Sequence, residues 1–176
     1  MKDSVERQAR ILIVDHSLAF ARLLRNEMIH NGFRHVYLAG NNAEALDLLA
    51  TNHFDAVLCD SETGPMPGPV FAQAARIGAT MLNPYVPIIM TSFRPTRRMI
   101  GACRDSGANG FLAKPVSNAQ LTEKIRQVLS ESRHFIKARN YFGPDRRSGA
   151  GRAYVGKERR SPIWCERAPT TKQIVA

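Results

Sequence analysis

Four short apolar runs in this chain each end in a polar or charged side chain, and this pattern constrains the fold more than any other feature. The runs and the residues that follow them are Ile11–Val14 with Asp15, Ala56–Cys59 with Asp60, Pro87–Met90 with Thr91 and Ser92, and Gly110–Ala113 with Lys114. A short unbroken apolar run is typical of a strand that is buried on both faces of a parallel sheet. A single carboxylate after such a run is more often a helix cap, but ligands of open parallel sheets bind at the carboxyl ends of the strands. We therefore expect these polar groups to converge on one edge.

The segments between these runs carry helical patterns. Helices are predicted over residues 17–31 and 70–81, and from Asn41, Thr96 and Ser117 onwards, with a weaker strand at 34–38. Asn41 with Glu44, and Ser117 with Gln120, have the spacing of a capping box. The order βαβαβαβαβα across roughly residues 10–132 predicts an α/β fold. The predicted architecture is a doubly wound parallel sheet with helices on both faces.

Length and composition fit one domain with an appended segment. The chain has 176 residues, of which 44% are hydrophobic. No stretch approaches the roughly 20 apolar residues that a membrane span needs, so a cytoplasmic location is expected. Cys59, Cys103 and Cys165 are odd in number and lack CxxC spacing, so the sequence indicates neither a disulfide framework nor a zinc site.

The net charge of +10 is concentrated at the C-terminal end. Residues 1–132 contain 14 Lys or Arg and 12 Asp or Glu, whereas residues 133–176 contain 11 and 3. The basic character therefore belongs to the extension and not to the domain, which matters for the class of partner that each part would bind.

The chain over residues 9–132 resembles the receiver domain of two-component response regulators, in its single-domain form. The resemblance rests on ILIVDHS, FDAVLCD, MPG at 66–68, PIIMTS and GANGFLAKPV. It implies a flavodoxin-like sheet of five strands in the order 2-1-3-4-5. It also implies a bacterial, cytoplasmic phosphoprotein that acts as a switch and not as a classical enzyme.

The resemblance also implies roles for the polar residues at the strand ends. Asp60 would accept the phosphoryl group, and Lys114 would neutralise charge on its oxygens. Mg²⁺ would be held by Asp15, Asp60 and the backbone carbonyl of Glu62. A carboxylate can attack a phosphorus that carries negative oxygens only if cations spread that charge, so the residue types suit this chemistry.

Two further positions would carry the response to phosphorylation. Phe111 occupies the aromatic position that turns inward on activation. Either Thr91 or Ser92 could be the switch hydroxyl, and we favour Ser92 because family spacing places it five residues after Pro87 and twenty-two before Lys114.

Two residues depart from the family pattern. His16 stands directly after Asp15, where a second acidic metal ligand is usual. Because Mg²⁺ prefers oxygen ligands, we expect weaker Mg²⁺ binding, unless His16 points away and Asp15 with Glu62 compensates. A softer metal through His16 is disfavoured, since no second His lies at ligand spacing. Phe93 replaces a small residue, so its ring either shields the pocket or turns to solvent.

The extension at 133–176 carries a repeated motif. Residues 131–140 could extend the last helix, and the remainder is predicted to be disordered because it is rich in Gly, Pro, Ser and Arg. Y-x-G-x-[D/E]-R-R-S occurs at 141–148 and again at 154–161, and the first copy contains a GPDRR-like motif. Its main residues are Tyr141, Arg146, Arg147, Tyr154, Arg159 and Arg160. Two Arg-Arg pairs could dock an acidic protein, an anionic membrane or a nucleic acid, or the segment could only aid solubility.

Three functions compete on these grounds. The preferred one is a response regulator that is phosphorylated by a sensor histidine kinase or a histidine phosphotransfer protein. It would signal through an unidentified downstream protein, and the basic residues Arg97, Arg98 and Arg104 would favour an acidic one. The second is a phosphorylation-independent adaptor, in which His16 has ended Mg²⁺-dependent chemistry. The third is an RNA- or membrane-binding protein that acts through the extension. We find no helix-turn-helix pattern for a DNA-binding output domain.

Overall fold

The main body of the protein is a five-stranded parallel sheet. The computed structural model describes residues 6–131, 133–138, 141–145 and 164–167. The strands are β1 Arg10–Val14, β2 His35–Ala39, β3 Ala56–Asp60, β4 Ile88–Ser92 and β5 Gly110–Ala113. They lie in the order β2-β1-β3-β4-β5, and each neighbouring pair is parallel. The predicted flavodoxin-like sheet is confirmed.

Helices cover both faces of this sheet. They are α1 Leu18–His30, α2 Asn42–Thr51, α3 Gly68–Ile77, α4 Arg97–Asp105 and α5 Asn118–Ser130. Successive side chains of a strand point to opposite faces. Leu12 and Val14 of β1 therefore pack in one core with residues of α2, α3 and α4, while Ile11 and Ile13 pack in the other with residues of α1 and α5. The doubly wound arrangement is confirmed.

Side-chain caps set where several helices begin. Ser17, Asn41, Thr96 and Ser117 precede α1, α2, α4 and α5, and each accepts a hydrogen bond from a backbone N–H of the first turn. Such a cap contributes about 1 kcal/mol of stability. The capping box of Ser117 with Gln120 is present as predicted.

Helix α3 begins earlier and ends earlier than the predicted range 70–81. Proline is tolerated in the first helical turn, so Pro69 does not prevent a start at Gly68. A Cβ atom on Gly68 would lie 2.7 Å from the Cα atom of Ser61. Glycine therefore allows the start of α3 to approach the end of β3, and the helix stops before Gly78.

The strand register brings the ends of β1, β3, β4 and β5 to one edge of the sheet. Asp60 lies opposite Thr91, and Ser92 lies opposite Ala113. Asp15 and Lys114 directly follow β1 and β5. The polar residues that the sequence predicts for a common edge are thus placed there.

A second, antiparallel sheet follows α5. Its strands are β6 His134–Ala138, β7 Tyr141–Pro144 and β8 Trp164–Arg167, in the order β7-β6-β8. Phe135 is buried, and its ring centroid lies 5.1 Å from the Tyr85 centroid and 5.6 Å from the Phe142 centroid. The loop before β4 and the extension therefore share one aromatic cluster.

This second sheet differs from the prediction for the extension. A continued helix over 131–140 is wrong, since α5 ends at Ser130 and residues 134–138 form a strand. The sequence also predicts disorder over 141–176, whereas Tyr141–Pro144 and Trp164–Arg167 form β7 and β8. The physical reason lies in tertiary contacts: packing of the buried Phe135 and the half-buried Phe142 against Tyr85 compensates for the ordering of a polar segment.

The repeated motif of the extension is described only at its first residue. The Tyr141 hydroxyl donates a hydrogen bond to the backbone oxygen of Pro144 at 2.8 Å. Arg146, Arg147, Tyr154, Arg159 and Arg160 lie outside the described residues. Their predicted role therefore stays a prediction.

Within the part of the chain that the structure describes, no helix combines the length and apolar character that crossing a membrane requires.

Candidate functional site

Asp60 is the last residue of β3, and its carboxylate is buried at the carboxyl edge of the sheet. Its Oδ1 atom accepts a hydrogen bond from Lys114 Nζ at 3.1 Å, and its Oδ2 atom lies 3.2 Å from His16 Nδ1. Thr63 donates its hydroxyl to the Asp60 backbone oxygen at 3.0 Å. This bond ties the loop after β3 to the strand, so the carboxylate has a defined position between two nitrogen groups.

Lys114 links the two predicted carboxylates. Its Nζ atom donates to Asp15 Oδ2 at 2.6 Å as well as to Asp60 Oδ1, and its side chain is 0% exposed. Its backbone N–H donates to the Ser92 oxygen at 2.7 Å, which fixes the start of the side chain beside β4. The peptide bond to Pro115 is cis. A buried ammonium needs such partners, because burial without them would cost several kcal/mol.

Asp15 uses both of its carboxylate oxygens. Oδ1 accepts the backbone N–H of Ser17 at 2.8 Å, and Oδ2 accepts Lys114. Because Ser17 is the N-cap of α1, the same turn that starts the helix also orients this carboxylate. Sequence analysis correctly placed Asp15, Asp60 and Lys114 together.

His16 is the third member of a cluster that could hold a metal ion. Asp15, His16 and Asp60 each offer one ligand atom, and these atoms lie within 4.8 Å of one another. The His16 side chain is 59% exposed, so it reaches the cluster from the solvent side. Two carboxylates fit Mg²⁺, whereas an imidazole nitrogen is a poorer ligand for it. The residues thus fit a divalent cation, although the imidazole nitrogen of His16 is a less suitable donor than a carboxylate oxygen.

The two hydroxyls at the end of β4 are both buried but have different partners. Thr91 Oγ1 donates to the Cys59 backbone oxygen at 3.5 Å, within the sheet. Ser92 Oγ accepts the backbone N–H of Arg94 at 2.9 Å. An accepting hydroxyl oxygen still carries a hydrogen that can be donated.

Phe111 and Glu62 lie at the margin of the site. Phe111 is half-buried and packs against the core that α2, α3 and α4 cover. Glu62 directly precedes Thr63 in the loop after β3 and is exposed. Their predicted roles depend on states with a bound phosphoryl group or metal, so they stay predictions.

Two aromatic rings lie over Lys114. Its Nζ atom is 4.6 Å from the centroid of the Phe20 ring and 5.0 Å from that of the Phe93 ring. The two centroids are 5.7 Å apart. Sequence reasoning singled out Phe93 but missed Phe20, whose only signal was its place in the first turn of the helix that follows Asp15.

Sequence reasoning also missed Asn42, the buried first residue of α2. Its side-chain amide donates to the backbone oxygen of Met66, and its Oδ1 atom lies 3.4 Å from Cys59 Sγ. Burial and the neighbouring charge of Asp60 raise the pKa of Cys59 well above its ordinary value. Cys59 is thus a neutral core thiol, and Asn42 helps to hold the loop at the edge of the site.

Known proteins share this fold and sequence pattern. The profile of the response regulator receiver domain matches residues 11–126. The sensory/regulatory protein RpfC of Xanthomonas campestris is 31% identical over 128 residues, which cover 72% of this chain. The chain spans only 17% of the length of RpfC. The chemotaxis protein CheY-3 of Vibrio cholerae is 27% identical over 129 residues, covering 73% of this chain and 98% of CheY-3.

A solved structure agrees with these relatives. The crystal structure of a putative response regulator from Chloroflexus aurantiacus is 27% identical and superposes with a TM-score of 0.64. The match covers 70% of this chain and 98% of that structure. The profile covers more than half of the chain, and the carboxylates and lysine of the family motif meet at one sheet edge. The chain therefore belongs to the response regulator receiver domain family of two-component signalling.

Proposed function

We propose that the protein is a response regulator that accepts a phosphoryl group on Asp60. The observation that supports this most directly is the placement of the Asp60 carboxylate at the sheet edge, in contact with the fully buried ammonium of Lys114. A carboxylate in that setting can act as a nucleophile toward phosphorus, and the nearby cation offsets the charge that accumulates. The protein then acts as a phosphorylated switch and not as a classical enzyme.

The phosphoryl donor would be a phosphohistidine of a sensor histidine kinase or of a histidine phosphotransfer protein. An Asp60 oxygen attacks the phosphorus, and a P–O bond forms as the P–N bond to the donor imidazole breaks. The imidazole leaves with the bonding electron pair and takes up a proton. This chain positions the attacking oxygen and neutralises charge, which is most of what phosphoryl transfer needs.

Asp15 and Asp60 would hold Mg²⁺, together with the backbone carbonyl of Glu62. A bound Mg²⁺ would neutralise charge between the carboxylates and the phosphoryl oxygens. His16 occupies the remaining side of the cluster with a nitrogen 3.2 Å from Asp60 Oδ2. We therefore expect Mg²⁺ to bind more weakly here than it would beside a third carboxylate.

Ser92 is the switch hydroxyl in this proposal. Its oxygen already accepts the Arg94 N–H, so a new bond from its hydrogen to a phosphoryl oxygen would carry the loop after β4 with it. Thr91 bonds inside the sheet and is less suited to this. The half-buried ring of Phe111 would respond to that movement, which is a local charge change acting on an element with two positions.

The exposed arginines of helix α4 favour an acidic downstream partner. Arg97, Arg98 and Arg104 are exposed on it, and the partly exposed Ile100 lies among them. Exposed arginines steer association with acidic surfaces and can form bidentate contacts with carboxylates. Binding that weakens steeply with salt, and that Arg97→Glu with Arg98→Glu abolishes, would support this surface.

The proposal is tested by measuring intact mass after incubation with acetyl phosphate, with and without Mg²⁺. Wild type should gain one phosphoryl group in the presence of Mg²⁺, whereas Asp60→Asn should gain none. A known receiver domain treated in parallel shows that the reagent is active. If wild type gains no phosphoryl group from acetyl phosphate or from a kinase, the proposed function is wrong.

His16 favours a second function, a phosphorylation-independent adaptor. Its ring approaches the carboxylates where the family has a metal-binding acid, so the fold could serve only as a binding platform. Against this, the chain retains the phosphoacceptor, lysine and hydroxyl of the family's site, as Asp60, Lys114 and Ser92. The same mass measurement separates the two functions, since an adaptor would remain unmodified.

A nucleic-acid or anionic-membrane function would depend on the basic extension. Its support is the charge of residues 133–176 and the repeated Arg-Arg pairs. Such binding should fall steeply with salt and vanish when residues 146–163 are deleted. Salt-insensitive binding, or binding that survives the deletion, would remove this alternative.

A further inference from the structure

We propose that the rings of Phe20 and Phe93, here called the aromatic cover, shield Lys114 and a phosphoryl group on Asp60 from water. The aromatic cover would thereby set how long the protein stays phosphorylated. This inference rests on the proposed function, because it concerns the lifetime of the modification at that same site.

The surroundings of Lys114 carry this inference. On one side, its ammonium contacts Asp15 and Asp60 at 2.6 and 3.1 Å. On another, it lies 4.6 Å from the Phe20 centroid and 5.0 Å from the Phe93 centroid, within the range of cation–π contacts. The lysine side chain is 0% exposed even though it lies at the edge of the sheet. The two rings therefore take part in excluding water from it.

The position of Phe93 argues for a specific arrangement. The residue is 59% exposed, yet its ring contacts Phe20 with an interplanar angle of 55° and lies close to Lys114 Nζ. The ring comes from the loop after β4, whereas Phe20 comes from α1. Two separate elements thus meet over one ammonium. In the structure, the Phe93 ring lies beside Lys114 while the residue remains largely exposed to solvent on its other side.

The chemistry of dephosphorylation makes this location important. A water oxygen must attack the phosphorus in line with the P–O bond to Asp60. The new O–P bond forms as that bond breaks, the carboxylate leaves, and the water proton passes to solvent. Because Lys114 donates to Asp60 Oδ1, a phosphoryl group on Asp60 would lie near the ammonium and hence near the aromatic cover. Rings there restrict the approach of water.

The first test compares hydrolysis of the phosphorylated protein in ring variants. Phe93→Ala and Phe20→Leu should shorten the half-life by about three- to tenfold, the effect of a lost ring contact on a barrier. Phe93→Leu keeps apolar bulk without the aromatic face. A wild-type half-life in this variant would indicate steric shielding, and a shortened one would indicate the cation–π contact. Ile77→Ala is the control, because Ile77 is 65% exposed and is the last residue of α3, whereas the first residue of that helix, Gly68, is the one that approaches the end of β3. Unchanged half-lives of the phosphorylated Phe93→Ala and Phe20→Leu proteins would overturn the proposal.

The second test does not require phosphorylation. Lys114 is labelled with an amine-acetylating reagent, and Lys137, which is exposed on β6, serves as the reference within the same protein. Phe93→Ala should raise the labelling rate of Lys114 by about tenfold relative to Lys137. Equal labelling of wild type and variant would refute the aromatic cover. Absence of any phosphoryl adduct in wild type would instead refute the proposed function and the lifetime claim with it, while the labelling still decides whether the rings shield Lys114.

Discussion

The buried ammonium of Lys114 lies closer to Asp15 than to Asp60, at 2.6 Å from Asp15 Oδ2 against 3.1 Å from Asp60 Oδ1. The nearer partner is therefore not the proposed phosphoryl acceptor. A phosphoryl group on Asp60 would compete with Asp15 for this cation. The contact that stabilises the unmodified site is thus one that phosphorylation has to rearrange, which is the property expected of a switch.

Replacing Lys114 should destabilise the fold as well as impair phosphorylation. Lys114→Met leaves Asp15 and Asp60 as neighbouring carboxylates without their cation, and should lower the free energy of unfolding by about 3 kcal/mol. Urea unfolding measures this. Lys124→Met, at a half-buried lysine of α5, is the control and should change stability little. An equal loss of unfolding free energy in Lys114→Met and Lys124→Met would show that the buried contacts of Lys114 are not the source of the stability.

His16→Asp should strengthen Mg²⁺ binding. The substitution replaces an imidazole nitrogen with a carboxylate oxygen beside Asp15 and Asp60, and we expect affinity to rise by about tenfold. Isothermal titration with Mg²⁺ measures it directly. His35→Asp adds the same charge at an exposed histidine of β2 and should leave the affinity unchanged. Equal Mg²⁺ affinities for wild type and His16→Asp would mean that His16 does not weaken the site.

Ser92 and Thr91 should differ in their effect on the phosphorylated state. Ser92→Ala should still gain a phosphoryl group but should lose most of the change that phosphorylation causes in the loop after β4. Thr91→Val should keep that change, because its hydroxyl bonds to Cys59 within the sheet. Hydrogen exchange of residues 93–97, with and without acetyl phosphate, distinguishes the two. The opposite pattern would assign the switch hydroxyl to Thr91.

The five-stranded sheet and most of the site could be predicted because their signals are local. Each strand of the site is a short apolar run followed directly by its functional residue, and helix caps such as Ser17 and Ser117 mark the next element. The carboxyl ends of parallel strands lie at one edge, so Asp15, Asp60 and Lys114 had to meet there. No distant contact is needed for that inference.

The second sheet and Phe20 could not be predicted, because they depend on contacts between distant parts of the chain. The β6 sequence HFIKA is short, with two polar residues among five, and its Phe135 packs against Tyr85, which is distant in the sequence. Likewise, nothing near Phe20 in the sequence indicates that its ring will contact Lys114. Side-chain direction across two elements is decided by packing, which periodicity does not report.

Removing the aromatic contact of β6 should destabilise the whole protein. Phe135 is buried between Tyr85, Phe142 and the guanidinium of Arg76, so Phe135→Ala should lower the free energy of unfolding by about 3 kcal/mol. Ile136→Ala, at the adjacent half-buried position, should cost clearly less. A small effect of Phe135→Ala in urea unfolding would show that β6 contributes little to the fold.

Arg76 should make stability depend on alkaline pH. The side chain is buried in α3 and carries its charge without an ion pair among the described residues. Its donors bond to the backbone oxygens of Gly107, Pro84 and Val86 and to Asn109 Oδ1. Burial lowers the pKa of Arg76 to about 9, and the electrostatic effect of the nearby Tyr141 acts in the opposite direction.

Because burial lowers the pKa of Arg76, the free energy of unfolding should rise with pH in the alkaline range. Above about pH 9 the unfolded chain keeps a proton on Arg76 that the folded chain releases, so the contribution of this group to stability rises with pH up to its unfolded pKa. The stability difference between wild type and Arg76→Met should therefore grow by about 1 kcal/mol in favour of wild type between about pH 8 and pH 10. Urea unfolding at both pH values measures it, and Arg98→Met, at an exposed arginine of α4, should show no such growth. A constant difference would mean that the four hydrogen bonds keep the guanidinium charged in the folded protein, because charge-assisted bonds favour the cation.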